Sequence, residues 1–107
     1  MKTKIQFKEA SCNEIIGTAS YRGYILASAK EISKVLGEPM QGDDKSVYEW
    51  YRKYGSVVFT IYDYKESVRP RKDKVIEYHI GTKSKEDTYI VIELLIKAGL
   101  TAYILKF

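Results

Sequence analysis

The residues best suited to chemistry lie between positions 60 and 81, in the stretch TIYDYKESVRPRKDKVIEYHIG. This stretch holds the only histidine of the chain, His79, and two tyrosines, Tyr62 and Tyr64. Histidine titrates near neutral pH, so His79 is the first candidate for proton transfer. A lone strand histidine is more often a structural residue, and acid–base catalysis needs a second titrating group. We therefore expect a binding protein, and a metal-free phosphodiesterase that uses His79 is the enzymatic alternative.

The same stretch concentrates positive charge. Residues 65–74 carry five Lys or Arg side chains against two acidic ones, a local balance of +3 in a chain of net charge +4. Arg69 and Arg71 stand on either side of Pro70, and guanidinium groups bind phosphate oxygens at two points. With Lys65, they predict neutralisation of a phosphate beside tyrosines that can stack on a base. The alternative is a solvated charged connection.

Tyrosine is unusually frequent, with ten tyrosines against three phenylalanines. Its flat ring and polar tip suit base stacking and protein interfaces, although tyrosine also favours strands. The cluster Tyr21-Arg22-Gly23-Tyr24 makes Tyr24 a further stacking candidate. The same cluster is also typical of packing at a sheet edge or of a dimer contact.

Several classes of site have no motif here. One cysteine and one histidine, without CxxC or HxxxH spacing, predict neither a metal site nor a disulfide. No GxSxG, P-loop or GxGxxG motif supports a hydrolase or a cofactor enzyme. No apolar run reaches the roughly 18 residues of a membrane span, and MKTKIQFKEA lacks a signal-peptide core. We expect a cytoplasmic protein without a cofactor.

Two helices are predicted from start and stop signals. Ser28 opens SAKE, a capping box completed by Glu31, and the GEP stretch ends the helix, so we expect a helix over 29–36. Ser84, followed by acidic residues, begins a second helix that ends at Gly99. The apolar stripe expected on this second helix consists of Tyr89, Ile92, Leu95 and Ile96.

Strands are predicted from period-two alternation. We expect strands over Lys2–Lys8, in SVYEWYRKY and SVVFTIYDYK on either side of Gly55, over Lys74–Ile80 and over Thr101–Phe107. The two strands around Gly55 predict a hairpin. Residues 17–28 indicate a loop that runs into a brief extended segment.

Strand alternation decides which side chains can act together. Tyr62 and Tyr64 share one face of their strand, and Asp63 lies on the other. In the following strand His79 and Glu77 share a face. If the two strands pair, we expect His79 near either Asp63 or the two tyrosines, and the register between the strands decides which.

These elements predict a single α+β domain over 1–107, with a mostly antiparallel sheet of four or five strands and two helices on one face. Trp50, Tyr89 and Tyr103 are expected to be packing residues. The face without helices is left for a ligand or a second subunit, where tyrosines would be useful.

The order GYILAS, VLGEP, YEW, TIYDYK and EYHIG resembles a group of small phage-encoded proteins of largely unassigned role. The resemblance covers roughly residues 23 to 81, and TIYDYK followed by a strand ending in HIG is its most specific part. It implies a phage origin and a role in the cytoplasm of an infected bacterium. Small phage proteins of this kind look like counter-defence factors, among them the anti-CBASS sponges that sequester cyclic nucleotide signals.

The sequence and the resemblance together lead us to expect a protein that binds a cyclic dinucleotide, or a related cyclic nucleotide, without cleaving it. A homo-oligomer is expected, because a small domain encloses a small ligand more easily between subunits. The alternatives are an inhibitor that binds a host protein through a tyrosine-rich face and, less favoured, a nucleic-acid-binding protein. The expected ligand-binding residues are Tyr24, Tyr62 and Tyr64 for stacking, Lys65, Arg69 and Arg71 for phosphate, and His79 for orientation.

Overall fold

Apolar residues at every second position build a sheet, and two capped segments build helices against it. The computed structural model describes residues 5–18, 21–41, 48–63, 74–100 and 103–106. The helices are α1 (Ala29–Leu36) and α2 (Lys85–Lys97). The strands are β1 (Lys8–Glu9), β2 (Tyr21–Ser28), β3 (Met40–Gln41), β4 (Tyr48–Tyr54), β5 (Val57–Tyr62), β6 (Val75–Thr82) and β7 (Tyr103–Lys106).

All strands belong to one antiparallel sheet in the order β1-β4-β5-β6-β2-β7, and β3 also pairs with β4. Five longer strands form its body, while β1 and β3 are two-residue strands at the β4 edge. The predicted hairpin is confirmed, since β4 and β5 join through a two-residue loop with Gly55 at φ 59°. Both primed hairpin turns need a positive φ at that position. The α+β class, with an antiparallel sheet and two helices, is confirmed.

Two strand predictions were wrong. Residues 21–28 form β2, an eight-residue strand with β6 on one side and β7 on the other, rather than a loop with a brief extension. Pairing on both sides outweighs the low strand propensity of Gly23. The first strand is shorter than predicted, because residues 5–7 are not strand and β1 begins at Lys8. Phe7 instead packs edge-on against Phe59, with ring centroids 5.6 Å apart.

Both helices begin as their capping signals predict. Ser28 Oγ accepts a hydrogen bond from the Glu31 amide at 3.1 Å, and Ser84 Oγ accepts one from the Asp87 amide at 3.1 Å. These bonds satisfy amide groups that have no partner within the helix. Neither helix in the described part of the chain is both long and apolar enough to cross a lipid bilayer.

The hydrophobic core lies between the two helices and one face of the sheet, which we call the covered face. Trp50 is fully buried there, as predicted, and its indole Nε1 donates to the Gly37 carbonyl at 2.8 Å. The main core residues are Ile25, Ala27, Ile32, Trp50, Phe59, Ile61, Tyr78, Ile80, Val91 and Leu95.

The predicted stripe of α2 is only half right. Ile92 and Leu95 are buried, but Tyr89 is 48% exposed and Ile96 is 51% exposed. The buried positions of α2 are Thr88, Val91, Ile92 and Leu95. Tyr89 follows Thr88 by one residue, or about 100° of helix rotation, and it lies outside this stripe, so it points away from the core. The side chain of Tyr103 lies outside the described residues.

Arg52 is a buried cation on the covered face. Its guanidinium donates to the carbonyls of Leu36 at 3.0 Å, Glu38 at 3.2 Å and Tyr51 at 2.9 Å. Burial lowers the pKa of Arg52. The Leu36 and Glu38 carbonyls lie at the C-terminal end of α1, where the helix dipole favours a cation. Arg52 therefore ties the end of α1 to β4.

Candidate functional site

Three of the predicted site residues meet on the face of the sheet opposite α1 and α2, which we call the open face. Tyr62 of β5 lies directly opposite His79 of β6, and His79 lies directly opposite Tyr24 of β2. Antiparallel partners on one face bring their side chains into contact. We call Tyr62, His79 and Tyr24 the aromatic row.

The rings of the aromatic row touch one another across three strands. The His79 imidazole meets the Tyr24 ring edge to face, with centroids 4.7 Å apart and an interplanar angle of 81°. On its other side it meets the Tyr62 ring at 5.4 Å and 50°. The His79 side chain is 13% exposed, and both tyrosines are partly exposed. The row is therefore a supported aromatic surface that still faces solvent.

Burial of alternate residues fixes the side on which the row lies. Tyr78 and Ile80 are fully buried on the covered face, so His79 between them must project from the open face. Asp63 is fully buried, and its Oδ1 accepts from the Tyr48 amide at 2.7 Å. Of the two partners that the sequence left open for His79, the register selects Tyr62. Asp63 instead belongs to the covered face and joins the ends of β4 and β5.

Two carboxylates lie beside the row. Glu49 of β4 is the cross-strand partner of Tyr62, and its Oε2 accepts from the Tyr51 hydroxyl at 3.0 Å. Glu77 is two residues from His79 on the same face of β6, with 3.8 Å between its Oε2 and His79 Nε2. The Glu77 side chain is 50% exposed. The aromatic row thus has a carboxyl side chain on each of two sides.

Sequence reasoning did not select Glu49, Tyr51 or Glu77 as site residues. Each was detectable by alternation, since Glu49 and Tyr51 flank the buried Trp50, and Glu77 lies two positions before His79. What was missing was the alignment of β4 with β5 and of β5 with β6, because register depends on contacts distant in sequence.

The other end of the open face is covered by residues 11–18, which we call the 11–18 turn. A Cβ placed on Gly81 would lie 2.5 Å from the Thr18 carbonyl oxygen and 2.7 Å from Thr60 Oγ1. Glycine at position 81 therefore permits a close backbone approach. Thr60 beneath the turn is only 6% exposed. The 11–18 turn thus lies over the end of the open face that is opposite the aromatic row.

An ion pair fastens the 11–18 turn to the sheet. Lys53 Nζ lies 2.6 Å from Glu14 Oε2. Ser11 and Glu14 also exchange reciprocal bonds, from the Ser11 amide to Glu14 Oε1 at 3.0 Å and from the Glu14 amide to Ser11 Oγ at 3.2 Å. Hydrogen bonding from Lys53, followed by that from the Ser11 amide, lowers the pKa of Glu14 to about 2.

The remaining predicted site residues, Tyr64, Lys65, Arg69 and Arg71, lie outside the described residues, and their roles stay predictions. Strand β5 ends at Tyr62, and β6 begins at Val75. Within the described ranges, no group of three or more His, Cys, Asp or Glu side chains is arranged to hold a metal ion.

Comparison of the chain with protein-family models, with curated proteins and with solved structures gave no match.

Proposed function

We propose that this protein binds a cyclic dinucleotide, or a related cyclic nucleotide, on the aromatic row and sequesters it without cleaving it. The observation that carries the proposal is the contact of Tyr62, His79 and Tyr24 across three strands on a solvent-facing surface. Aromatic side chains on an open sheet face stack on bases, and each stacked base contributes on the order of 1–3 kcal/mol. The resemblance to small phage-encoded proteins extends the proposal to counter-defence, with the ligand being an immune signal of the infected bacterium.

The surroundings of His79 support binding rather than catalysis. Its imidazole is held between two tyrosine rings and is 13% exposed, which leaves little of the ring to reach a reacting atom. A general acid or base must come within hydrogen-bond reach of the proton that it transfers. We assign His79 the role of holding the two tyrosine rings apart and in place for a stacked ligand.

Phosphate binding rests on the sequence of the connection between β5 and β6. The described neighbours of this connection are Asp63, one residue after Tyr62, and Lys74, five residues before His79. Lys65, Arg69 and Arg71 would supply the positive charge that a cyclic nucleotide requires. An open sheet face encloses a small ligand poorly, which supports a homo-oligomer in which a second copy completes the site.

The deciding experiment is incubation with a panel of cyclic di- and trinucleotides, read by thermal shift and by chromatography of nucleotides released on heat denaturation. A ligand that raises the melting temperature and is recovered intact supports sequestration. A ligand recovered in cleaved form would make the protein an enzyme, with His79 as the first residue to replace. If no member of the panel raises the melting temperature, the proposal is wrong.

The contribution of the row is tested by replacing one ring. Tyr24→Leu removes the aromatic surface, and we expect affinity for the ligand to fall by about 10-fold or more, since stacking contributes on the order of 1–3 kcal/mol. Tyr24→Phe keeps the ring and should retain most of the affinity. The matched control is Tyr89→Leu, because Tyr89 is an exposed tyrosine on α2, on the other side of the sheet. Equal losses in Tyr24→Leu and Tyr89→Leu would remove the row from the site.

A second candidate function is inhibition of a host protein through the open face. The observation that favours it is the placement of Tyr24, Tyr51 and Tyr62 on one face together with the carboxylates of Glu49 and Glu77. Tyrosines are enriched at protein interfaces, and two carboxylates would pair with basic side chains of a partner. Retention of a single bacterial protein by the wild type but not by Tyr24→Arg, with no nucleotide bound, would favour this candidate.

A further inference from the structure

We infer that the carboxylate of Glu77 selects the base of the bound nucleotide, and that the preferred base is guanine. The inference rests on the proposed function, because it concerns the same aromatic row. The inference adds selectivity among bases, which the stacking surface alone does not provide. Every base has an aromatic face to stack, so stacking rings accept any of them. Discrimination needs a polar group that meets the edge of the stacked base.

Glu77 is placed to meet that edge. On β6 it lies two residues from His79 on the same face, and its cross-strand partner on β2 is Leu26. Tyr24, the cross-strand partner of His79, is therefore the diagonal neighbour of Glu77, and diagonal neighbours are about 7–8 Å apart. That separation is within reach of aromatic and long side chains. The Glu77 side chain is 50% exposed, so a ligand can reach its carboxyl group, and Oε2 also lies 3.8 Å from His79 Nε2.

Glu49 is less suited to this role, although it also borders the row. Its Oε2 already accepts the Tyr51 hydroxyl at 3.0 Å, which directs one carboxylate oxygen along β4. It lies opposite Tyr62 on β4, and two strands, β5 and β6, separate β4 from β2. The carboxylate of Glu77 is on the central strand of the row, next to the strand that carries Tyr24.

A carboxylate favours guanine because of how the donors on each base are arranged. An ionised carboxylate only accepts hydrogen bonds, and its two oxygens can accept two parallel ones. The Watson–Crick edge of guanine offers two adjacent donors, N1–H and the N2 amino group. Adenine offers the N6 amino group beside the N1 acceptor, and uracil offers N3–H between two carbonyl oxygens. A carboxylate gains two bonds with guanine, while it meets acceptor lone pairs on adenine and uracil.

The test compares cyclic dinucleotides that contain two guanines, two adenines or two uracils, with dissociation constants measured by isothermal titration calorimetry. For the wild type we expect the guanine ligand to bind about 10- to 100-fold more tightly than the uracil ligand, with adenine between them. In Glu77→Gln we expect this preference to be nearly lost, so that the affinities for the guanine and uracil ligands differ by about threefold or less. The ratio is the readout because a change in the general attraction for phosphate affects both ligands equally.

The matched control is Glu49→Gln, which removes a carboxylate from the other side of the row and should leave the ratio unchanged. Circular dichroism and melting temperature confirm that both variants fold. Binding of all three ligands with equal affinity would overturn the inference and leave the proposed function standing. A ratio that collapses in Glu49→Gln but not in Glu77→Gln would overturn the assignment to Glu77. No binding by any of the three ligands or by the wider panel would overturn the proposed function and the inference together.

Discussion

The two faces of the sheet are built from the same strands but bury their side chains to very different degrees. On β6, Tyr78 is fully buried on the covered face, while the next residue, His79, is 13% exposed and Glu77 is 50% exposed on the open face. The covered face is packed by α1 and α2, and its buried Asp63 and Arg52 side chains are hydrogen-bonded to backbone groups. The open face instead presents aromatic rings and carboxylates.

This difference shows how the high tyrosine content divides into two roles. Tyr48 and Tyr78 lie in the core, where they fill volume beside Trp50. Tyr24 and Tyr62 are partly exposed and contact His79. A count of tyrosines cannot separate these roles, because tyrosine suits both a strand interior and a binding surface. The position of each tyrosine in the alternation of its strand separates them.

The largest expected effect is the difference in free energy of unfolding between a substitution on the covered face and one on the open face. Trp50→Ala on the covered face should lower the free energy of unfolding by about 3–5 kcal/mol, because it leaves a cavity in the core. It also removes the indole bond to the Gly37 carbonyl. Tyr62→Ala on the open face should cost less than half as much, since its ring is partly exposed. Urea denaturation followed by circular dichroism measures both. Equal costs would mean that the open face is also a packed interior.

Local signals in the sequence were enough to predict the helices and the hairpin. Ser28 and Ser84 cap their helices as expected, and Gly55 turns the hairpin. These features depend on residues within a few positions of one another, so a single sequence carries them. The prediction that Asp63 and Tyr62 lie on different faces of the sheet was likewise confirmed.

Features that depend on distant pairing were not predictable. The strand β2 was interpreted as a loop because its partners, β6 and β7, lie more than forty residues further along the chain. Its glycine and small polar residues give a weak local signal. For the same reason the contact of Tyr24 with His79 was not foreseen, although both residues were selected individually. The members of the aromatic row were predicted from the sequence as site residues, but their contact depends on strand pairing that the sequence did not reveal.

A second prediction concerns the two ends of the open face. Gly81→Ala would bring a methyl group against the Thr18 carbonyl, which belongs to the backbone and cannot rotate away as a side chain could. We expect a loss of about 1–3 kcal/mol in stability, because inserting a methyl group into close-packed surroundings forces the backbone to shift. The shift should displace the 11–18 turn and leave the aromatic row in place.

The control for this variant is a double-mutant cycle with Lys53→Met, measured by urea denaturation. Lys53 holds the same turn through Glu14, so the two losses should be less than additive if both act by releasing the turn. Fully additive losses would mean that Gly81→Ala disturbs the sheet itself. Ligand affinity measured on Gly81→Ala adds a second readout, because a retained affinity shows that the row does not depend on the turn.

The smallest expected effect is the pH dependence of the ion pair that fastens the turn. The pKa of Glu14 is lowered from 4.5 to about 2 in the folded protein, chiefly by the hydrogen bond from Lys53. A carboxyl with a lowered folded-state pKa stabilises the protein above its unfolded-state pKa, and this contribution is lost as the pH falls through the folded-state value. The contribution of Glu14 is therefore complete above about pH 4.5 and disappears towards pH 2. The effect is small because both side chains are about one-third exposed, at 37% for Glu14 and 30% for Lys53.

The measurement compares the wild type with Glu14→Gln by urea denaturation at a series of pH values from 6 to 2. Other carboxyl groups titrate in the same range, so the informative quantity is the difference in midpoint between the two proteins. We expect the wild type to be slightly more stable near pH 6 and the difference to shrink as the pH falls. High salt should also shrink it, because it screens a pair that is open to solvent. A difference that stays constant down to pH 2 would show that Lys53 does not hold Glu14 in its charged form. The 11–18 turn would then be held against the sheet by packing, as at Gly81, rather than by charge.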